Sequence, residues 1–316
     1  MPATGKPKIN VSVVIPVFNG IELLKRYLPS VLAACENYGQ GETEVIIVDD
    51  AGTDGTAGFL NGAFPSVKIV RHTANQGFSA TANDGILSAR HGIVVLLNND
   101  VEVSPDFLGF VPQRFEDTEV FAVRPGLTDS SVDDTIKDPK IGGRFNLGYF
   151  AVPESACAGA QFAFFSGGGA SAYSREKFLE LGGFDEMFAP FYVEDVDLSY
   201  RAWKRGWKIV YEPRCRAWHQ GGATITKFHK EIYVSAIIER NKFLLVWKNV
   251  TDPLLLLNHF FFAPLRMAYW YLKGVSAPVK GLLLAMRLLP EVMEKRSFEK
   301  LLMKKSDRDI LKLFKA

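Results

Sequence analysis

The sequence predicts an α/β protein: a mainly parallel sheet flanked by helices, with a helical extension behind it. Three observations lead there. Short β-branched apolar runs alternate with helix-like segments through roughly the first hundred residues, as in a sheet covered on both faces. Those runs end in polar residues, among them Asp49, Asp50 and Asp100. Beyond about residue 224 the chain turns to apolar, aromatic helical stretches with an excess of Lys and Arg, which divides it into residues 1–224 and an extension of 225–316.

Residues 11–17 read as a buried strand, and residues 20–35 as a helix with Ile21, Leu24, Leu28, Val31 and Leu32 on one face. A second strand spans 44–50, followed by a polar turn at 51–56 and a short helix. Residues 67–71 make a third strand, 78–90 a helix with small residues, and 92–97 a fourth strand running into Asn98-Asn99-Asp100. Ligands of open α/β sheets bind outside the carboxyl ends of the strands, so Asn19, Asp49, Asp50, Asn75, Asn98, Asn99 and Asp100 outline a mouth. Ser104-Pro105-Asp106 reads as a helix start. The pattern then weakens to about residue 153, with 137–148 expected as a mobile loop over a substrate and 132–149 among the segments that select it. Gly167-Gly168-Gly169 interrupts an apolar segment at 162–173 and lets the backbone approach a ligand or strand closely. A helix at 174–181, a Gly-Gly-Phe-Asp-Glu turn at 182–186, a helical stretch at 193–206 and a last strand at 208–212 complete the body.

With 316 residues, 47% apolar, 12% aromatic and 23% charged, the chain can bury a sizeable core and is neither collagen-like nor disordered. Its three cysteines, Cys35, Cys157 and Cys215, lack metal-ligand spacing, which favours a reducing compartment. No secretory signal opens the chain, so a cytosolic setting is expected. From Lys273 onward there are 11 Lys/Arg against 5 Asp/Glu, although the net charge is only +2. The tail is basic on a mildly acidic body, and no nucleic-acid partner is expected. Apolar runs at 254–257, 260–262 and 267–272 are interrupted by Asn258, His259, Pro264 and Arg266, so none approaches the ~20 residues that span a bilayer. With helical segments at 279–289 and 298–314, this composition suits helices lying on an anionic membrane surface. Packing on the body or pairing of two subunits is the other reading.

Paired acids at a strand end also serve as turn formers and caps, but Asp49 and Asp50 are joined by Asp100 with Asn98 and Asn99. Such hard oxygen ligands suit Mg²⁺ or Mn²⁺ held jointly with a diphosphate, and imply departure of a phosphate-bearing group. Neither GxxxxGK[ST] nor GxGxxG is present. In Glu194-Asp195-Val196-Asp197, helical spacing puts Glu194 and Asp197 on one face and pairs Asp197 with Arg201, while Asp195 points elsewhere. Phe188, Phe191, Tyr192 and Trp203 are expected around Asp195, where desolvation would raise its pKa towards that of a general base. His219, ahead of Gly221-Gly222, can swing in as a metal or phosphate ligand.

The order of these motifs resembles the family 2 glycosyltransferases of the GT-A fold: Ser12 to Asn19, Val48-Asp49-Asp50, Asn75-Gln76-Gly77-Phe78, Asn83, Leu97-Asn98-Asn99-Asp100, Gly183-Phe184-Asp185-Glu186, Glu194 to Leu198 and Trp218-His219. Within that family the chain is similar to the rhamnosyltransferase-like branch that assembles bacterial cell-surface polysaccharides. The resemblance covers about residues 9–222. It implies that Asp50 binds the nucleotide base, flanked by Pro16, Phe18 and Asn19, and that Gly77, Asn83 and Asn99 shape the donor site. Asn98-Asn99-Asp100 stands where the family has its DxD motif, with Asp100 and His219 as metal ligands and Asn98 replacing the first acid, a departure that weakens the case for obligatory metal. Asp195 matches the family's catalytic base, and Glu194, Trp218 and Gly168 would support the acceptor side.

The resemblance thus implies an inverting transfer of a sugar from a nucleotide donor, dTDP-rhamnose or a UDP-sugar, to a glycan or lipid-linked acceptor at the cytoplasmic membrane surface. A sugar nucleotidyltransferase would need a glycine-rich basic loop after the first strand, and Val17-Phe18-Asn19-Gly20 lacks one. An inactive membrane-recruited scaffold would not need both Asp100 and Asp195.

Overall fold

The computed structural model describes residues 8–128, 141–151, 161–219 and 230–314. Strands β1 (Val11–Val17), β2 (Thr43–Asp49), β3 (Lys68–Arg71), β4 (Ile93–Leu97), β5 (Val101–Val103), β6 (Val120–Thr128), β9 (Ala170–Ser174) and β10 (Lys208–His219) form one sheet in the order β3-β2-β1-β4-β9-β6-β10-β5. β1 to β4 run parallel to their neighbours in that group, β10 is parallel to β6, and β9 and β5 are antiparallel to theirs. The sheet is therefore mixed and mainly parallel, as the sequence predicts.

β1 is apolar throughout because both of its faces are covered. Val11, Val13, Ile15 and Val17 pack with Leu24, Leu28 and Val31 of helix α1 (Ile21–Glu36), whereas Val14 joins Ile46, Val48, Ala82 and Ile86 beneath helix α3 (Phe78–Leu87). The small residues of α3 have a steric cause. A Cβ at Gly85 would lie 2.4 Å from Val14 Cγ1. Helix α2 (Thr56–Ala63) connects β2 to β3.

The structure departs from the expected elements where pairing is long-range. Asp100 is followed not by a helix but by β5 and two short 3₁₀ turns, Phe107–Phe110 and Pro112–Glu116. The last strand continues past Glu212 to His219 because it bulges between Glu212 and Arg216 and then resumes pairing with both β6 and β5. The expected loop at 137–148 lies partly outside the described residues, and its described end is a hairpin, β7 (Arg144–Asn146) and β8 (Tyr149–Ala151). Gly221-Gly222 and Cys157 lie outside the described residues.

After helices α4 (Arg175–Glu180) and α5 (Glu194–Lys204), the extension contributes α6 (Glu231–Asn249), α7 (Pro253–Leu272), α8 (Ala277–Arg287), α9 (Leu289–Leu301) and α10 (Asp307–Lys312). The residues expected to interrupt α7 do not. Asp252 caps its first turn through Leu254 N and Leu255 N, Asn258 Oδ1 accepts from Gly148 N at 2.9 Å, and His259 Nδ1 lies 2.6 Å from Gly148 O. These polar groups receive the β7–β8 hairpin, and Pro264 is accommodated within the helix. No helix among the described residues is long and apolar enough to cross a membrane. The extension shares a core with the body: Tyr149, Met187 and Phe188 pack with Phe243, Val246, Ala263 and Val292. The wholly buried Asp307 accepts from Tyr200 OH and from Thr251 N, and pairs with Lys204 Nζ at 2.7 Å.

Candidate active site

β1, β2 and β4 are parallel neighbours, so their carboxyl ends and the polar residues beyond them share one rim. Asp50 is 3% exposed there. Its Oδ1 accepts from Gln76 N at 2.8 Å and its Oδ2 from Gly77 N at 2.9 Å, while His72 Nδ1 lies 2.8 Å from Oδ1. The other ring nitrogen of His72 is 3.1 Å from Asp84. The Asp50 carboxylate thus accepts two backbone N–H groups. It holds the turn ahead of α3, where Gly77 has φ +84.

Asn19, at φ 49, accepts from Thr53 N at 2.8 Å; Phe18 is half-buried beside it, and Pro16 is buried within β1 opposite Val48. Asn83 is committed elsewhere. Its Nδ2 donates to Phe184 O at 2.9 Å and its Oδ1 accepts from Phe184 N at 2.8 Å, which fastens α3 to the turn at 182–186.

Asn99 packs against Gly20, where a Cβ would lie 2.2 Å from its Nδ2. Next to it, Asp100 is 4% exposed. The β10–β5 register sets His219 opposite Val101, which brings His219 Nε2 to 3.0 Å from Asp100 Oδ1. His219 is thus held by the strand and does not swing on a loop. The contact lacks hydrogen-bond geometry, and both buried atoms are otherwise unpartnered. Trp218, one residue earlier, projects from the other face of the strand.

Two unpartnered lone-pair atoms facing one another fit a cation. Neighbouring ligands of an octahedral Mg²⁺ or Mn²⁺ with bonds of about 2.1 Å stand roughly 3 Å apart, and such ions take few protein ligands when phosphates complete the shell. Among the described residues no cluster of three or more His, Cys, Asp or Glu could hold a metal unaided.

The glycine run at 167–169 joins this pair to the acids of α5. Gly169 O accepts from Asn98 N at 2.8 Å, and a Cβ on Gly169 would lie 2.8 Å from His219 Nδ1. A Cβ on Gly168 would lie 3.6 Å from Asp195 Oδ2 and 3.9 Å from Glu194 Oε1. Glu194 and Asp195 therefore both face the glycine run, contrary to the expected sharing of a face by Glu194 and Asp197. They are the first two residues of α5, where side chains lean towards the helix N-terminus. Asp197 turns instead to Arg201, 2.8 Å away, as the i,i+4 spacing predicts.

Burial raises the Asp195 carboxyl above its ordinary range, with the Arg124 charge opposing the rise. Burial, reinforced by the Asp195 charge, pushes Glu194 up to about 8, and Glu194 Oε2 is buried without a hydrogen-bond partner. The aromatic residues expected around Asp195 are engaged with other groups: Trp203 Nε1 donates to Phe164 O at 3.1 Å, and Phe191 packs against Tyr192 and Tyr233. Arg124 went unnoticed in the sequence. Its guanidinium sits 4.2 Å over the Phe165 ring, donates to Phe165 O at 3.1 Å and is pulled down to about 10 by burial. A lone arginine in the strand Val-Phe-Ala-Val-Arg-Pro-Gly-Leu-Thr was the available signal.

The family model for glycosyl transferase family 2 matches residues 12–182, more than half of the chain, and the chain belongs to that family. It is 34% identical over 101 residues to the undecaprenyl-phosphate 4-deoxy-4-formamido-L-arabinose transferase of Pectobacterium carotovorum, covering 31% of each protein. The chain spans between 25% and 56% of the length of the curated relatives it matches. In fold it is similar to the mannosyltransferase PcManGT of Pyrobaculum calidifontis in complex with GDP-Man and Mn²⁺, with TM-score 0.56, 16% identity, and coverage of 95% of this chain and 86% of that one. It is likewise similar to S. aureus TarS 1–349 in complex with UDP-GlcNAc, with TM-score 0.59, 14% identity, and coverage of 96% and 89%. The architecture is that of the GT-A fold.

The raised Glu194 carboxyl has a consequence for stability. Between the ordinary glutamate value of 4.5 and about 8 the folded chain holds a proton that the unfolded chain has lost, so this contribution is complete below about 4.5 and disappears as pH rises towards 8. In Glu194→Gln, Tm measured against the wild type should rise steadily between pH 5 and 8. A constant difference across that range would contradict the assignment.

Proposed function

We propose that the chain is an inverting glycosyltransferase that moves a sugar from a nucleoside-diphosphate donor to a hydroxyl of a glycan or lipid-linked acceptor. The observation that carries this reading is the juxtaposition, across Gly168-Gly169, of the unpartnered Asp100–His219 pair and the buried carboxyl of Asp195. Asp100 and His219 would hold Mg²⁺ or Mn²⁺, which when bound supplies charge neutralisation to the departing diphosphate. The turn held by Asp50, with Phe18, Asn19 and Asn99, forms the wall against which the nucleoside would lie.

Asp195, its pKa raised by burial, accepts the proton of the acceptor hydroxyl as that oxygen attacks the anomeric carbon and the bond to the diphosphate breaks. One displacement inverts the configuration. Glu194, whose burial favours the protonated form, can donate a hydrogen bond beside it without adding a second negative charge. Donor chemistry of the dTDP-rhamnose or UDP-sugar kind follows from the family resemblance.

The acceptor side draws on the extension. Leu254, Leu257, Phe261, Leu265, Tyr269 and Leu272 are each more than half exposed and follow one stripe of α7. Leu283 and Met286 of α8 are also more than half exposed, and Lys273, Lys280 and Arg287 are near them in the sequence. An exposed apolar stripe followed in the sequence by basic residues fits an anionic lipid surface, and this would hold the enzyme peripherally at the cytoplasmic face of the membrane, next to a lipid-linked acceptor.

Two measurements test the proposal. Asp195→Asn should lower turnover by at least about 100-fold, the low end for loss of a general base, with donor affinity nearly unchanged; wild-type turnover would remove the assignment. The triple variant Leu257→Ser/Phe261→Ser/Leu265→Ser should fold yet stop co-sedimenting with phosphatidylglycerol vesicles. Undiminished sedimentation would refute membrane docking through α7.

A further inference from the structure

The segment before Asp195 is strained, and the helix that restrains it lies outside the matched family region. Tyr192 and Val193 have φ 69 and 76, a conformation that L-residues with side chains, β-branched valine above all, rarely adopt. Val193 is also the residue from which α5 begins, and it offers no side-chain cap. Such a turn persists only when its surroundings over-determine it.

Those surroundings come from α6. The fully buried Asn241 places Nδ2, with its two N–H groups shared among three acceptors, 2.8 Å from Phe188 O, 3.1 Å from Phe191 O and 2.8 Å from Tyr192 O. Its neighbour Arg240 donates through Nη2 to Phe188 O at 3.2 Å and to Ala189 O. Two helical turns further on, Lys248 Nζ pairs with Asp185 Oδ2 at 2.6 Å and Asp197 Oδ2 at 2.9 Å, and Asn249 Nδ2 donates to Asp197 Oδ1 at 2.8 Å. Residues eight apart lie on one helix face. One face of α6 therefore grips the chain both before Asp195, at 188–192, and after it, at 197.

We propose that Asn241 is a positioning residue for Asp195. By drawing three carbonyls of the 188–192 segment onto one amide nitrogen, it imposes the left-handed turn at Tyr192-Val193. That turn aims the first turn of α5, and with it the Asp195 carboxyl, at Gly168. An apolar residue would leave these carbonyls unpaired in the interior, and a carboxylate would repel them. The inference rests on the reading of Asp195 as the base. It gives the extension a part in catalysis separate from the lipid-facing stripe of α7.

The test uses the full chain with Mn²⁺ and whichever of UDP-glucose, UDP-N-acetylglucosamine, GDP-mannose or dTDP-rhamnose the wild type hydrolyses, with nucleoside diphosphate release as the readout. Misplacing a reacting group by about 1 Å costs up to ~10²-fold, so Asn241→Ala should lower kcat at least tenfold. KM for the donor should not change, and the acid limb of the kcat profile should move to lower pH as Asp195 becomes hydrated. Arg266→Ala serves as the control, since Arg266 ties α7 to Glu239 of α6 and sits over the Tyr149 ring. With a comparable fall in Tm it should leave kcat and the profile in place. A kcat for Asn241→Ala within twofold of wild type, or an equal loss of kcat in Arg266→Ala, would overturn the proposal. Should Asn241→Ala not fold, Arg240→Ala, at a half-buried position, should show the same pattern with a loss of about threefold; an unchanged kcat and profile there would overturn it as well. Wild-type turnover in Asp195→Asn would instead overturn the underlying assignment of the base, a separate outcome.

Discussion

The site depends on the register of one short antiparallel pair. Three residues of β5 align with the end of β10 so that His219 lies opposite Val101, and this pairing alone brings a histidine from late in the body against Asp100. Strand side chains alternate between faces, so a slip of one residue would turn His219 away and offer Trp218 in its place. The bulge between Glu212 and Arg216 lets β10 change register and still continue to this point. Gly169 then admits the imidazole, because a methyl group there would strike its Nδ1.

A second constraint is electrostatic. Asp197, wholly buried, receives Arg201 from its own helix together with Lys248 and Asn249 from α6, and Asp185 receives Lys248 and Lys295. Breaking a buried ion pair by removing one partner typically costs about 3–5 kcal/mol, so these contacts fix the extension to α5. The helix that exposes an apolar stripe, α7, is joined through Glu239 of α6 to the helix that carries Asp195.

Much of the fold was legible because its signals are local. β1, β2 and β4 are apolar runs that end in Asn or Asp, and a sheet covered on both faces requires such runs; the Asp197–Arg201 pair follows from helical spacing alone. What could not be read depends on partners far away in the chain. β5 has three residues, too few to show a period, and its partner lies more than a hundred residues on. Asn258 and His259 looked like interruptions of a helix because the hairpin they receive is remote in sequence. Asp50 and Asn83 carry family motifs, yet their hydrogen bonds hold turns in place, which a motif alone does not reveal. Arg124 and Asn241 are single polar residues in apolar segments, recognisable only once the carbonyls and carboxylates they meet are known.

The central claim is that the Asp100–His219 pair and Asp195 serve one reaction centre from opposite sides of the glycine run. A crystal structure of the full chain with Mn²⁺ and an intact nucleotide sugar tests it most directly. The account predicts the ion between Asp100 Oδ1 and His219 Nε2, in contact with the diphosphate, and the anomeric carbon open to attack from the side of Asp195. A diphosphate bound away from that pair, or a sugar whose anomeric carbon Asp195 cannot approach, would contradict it.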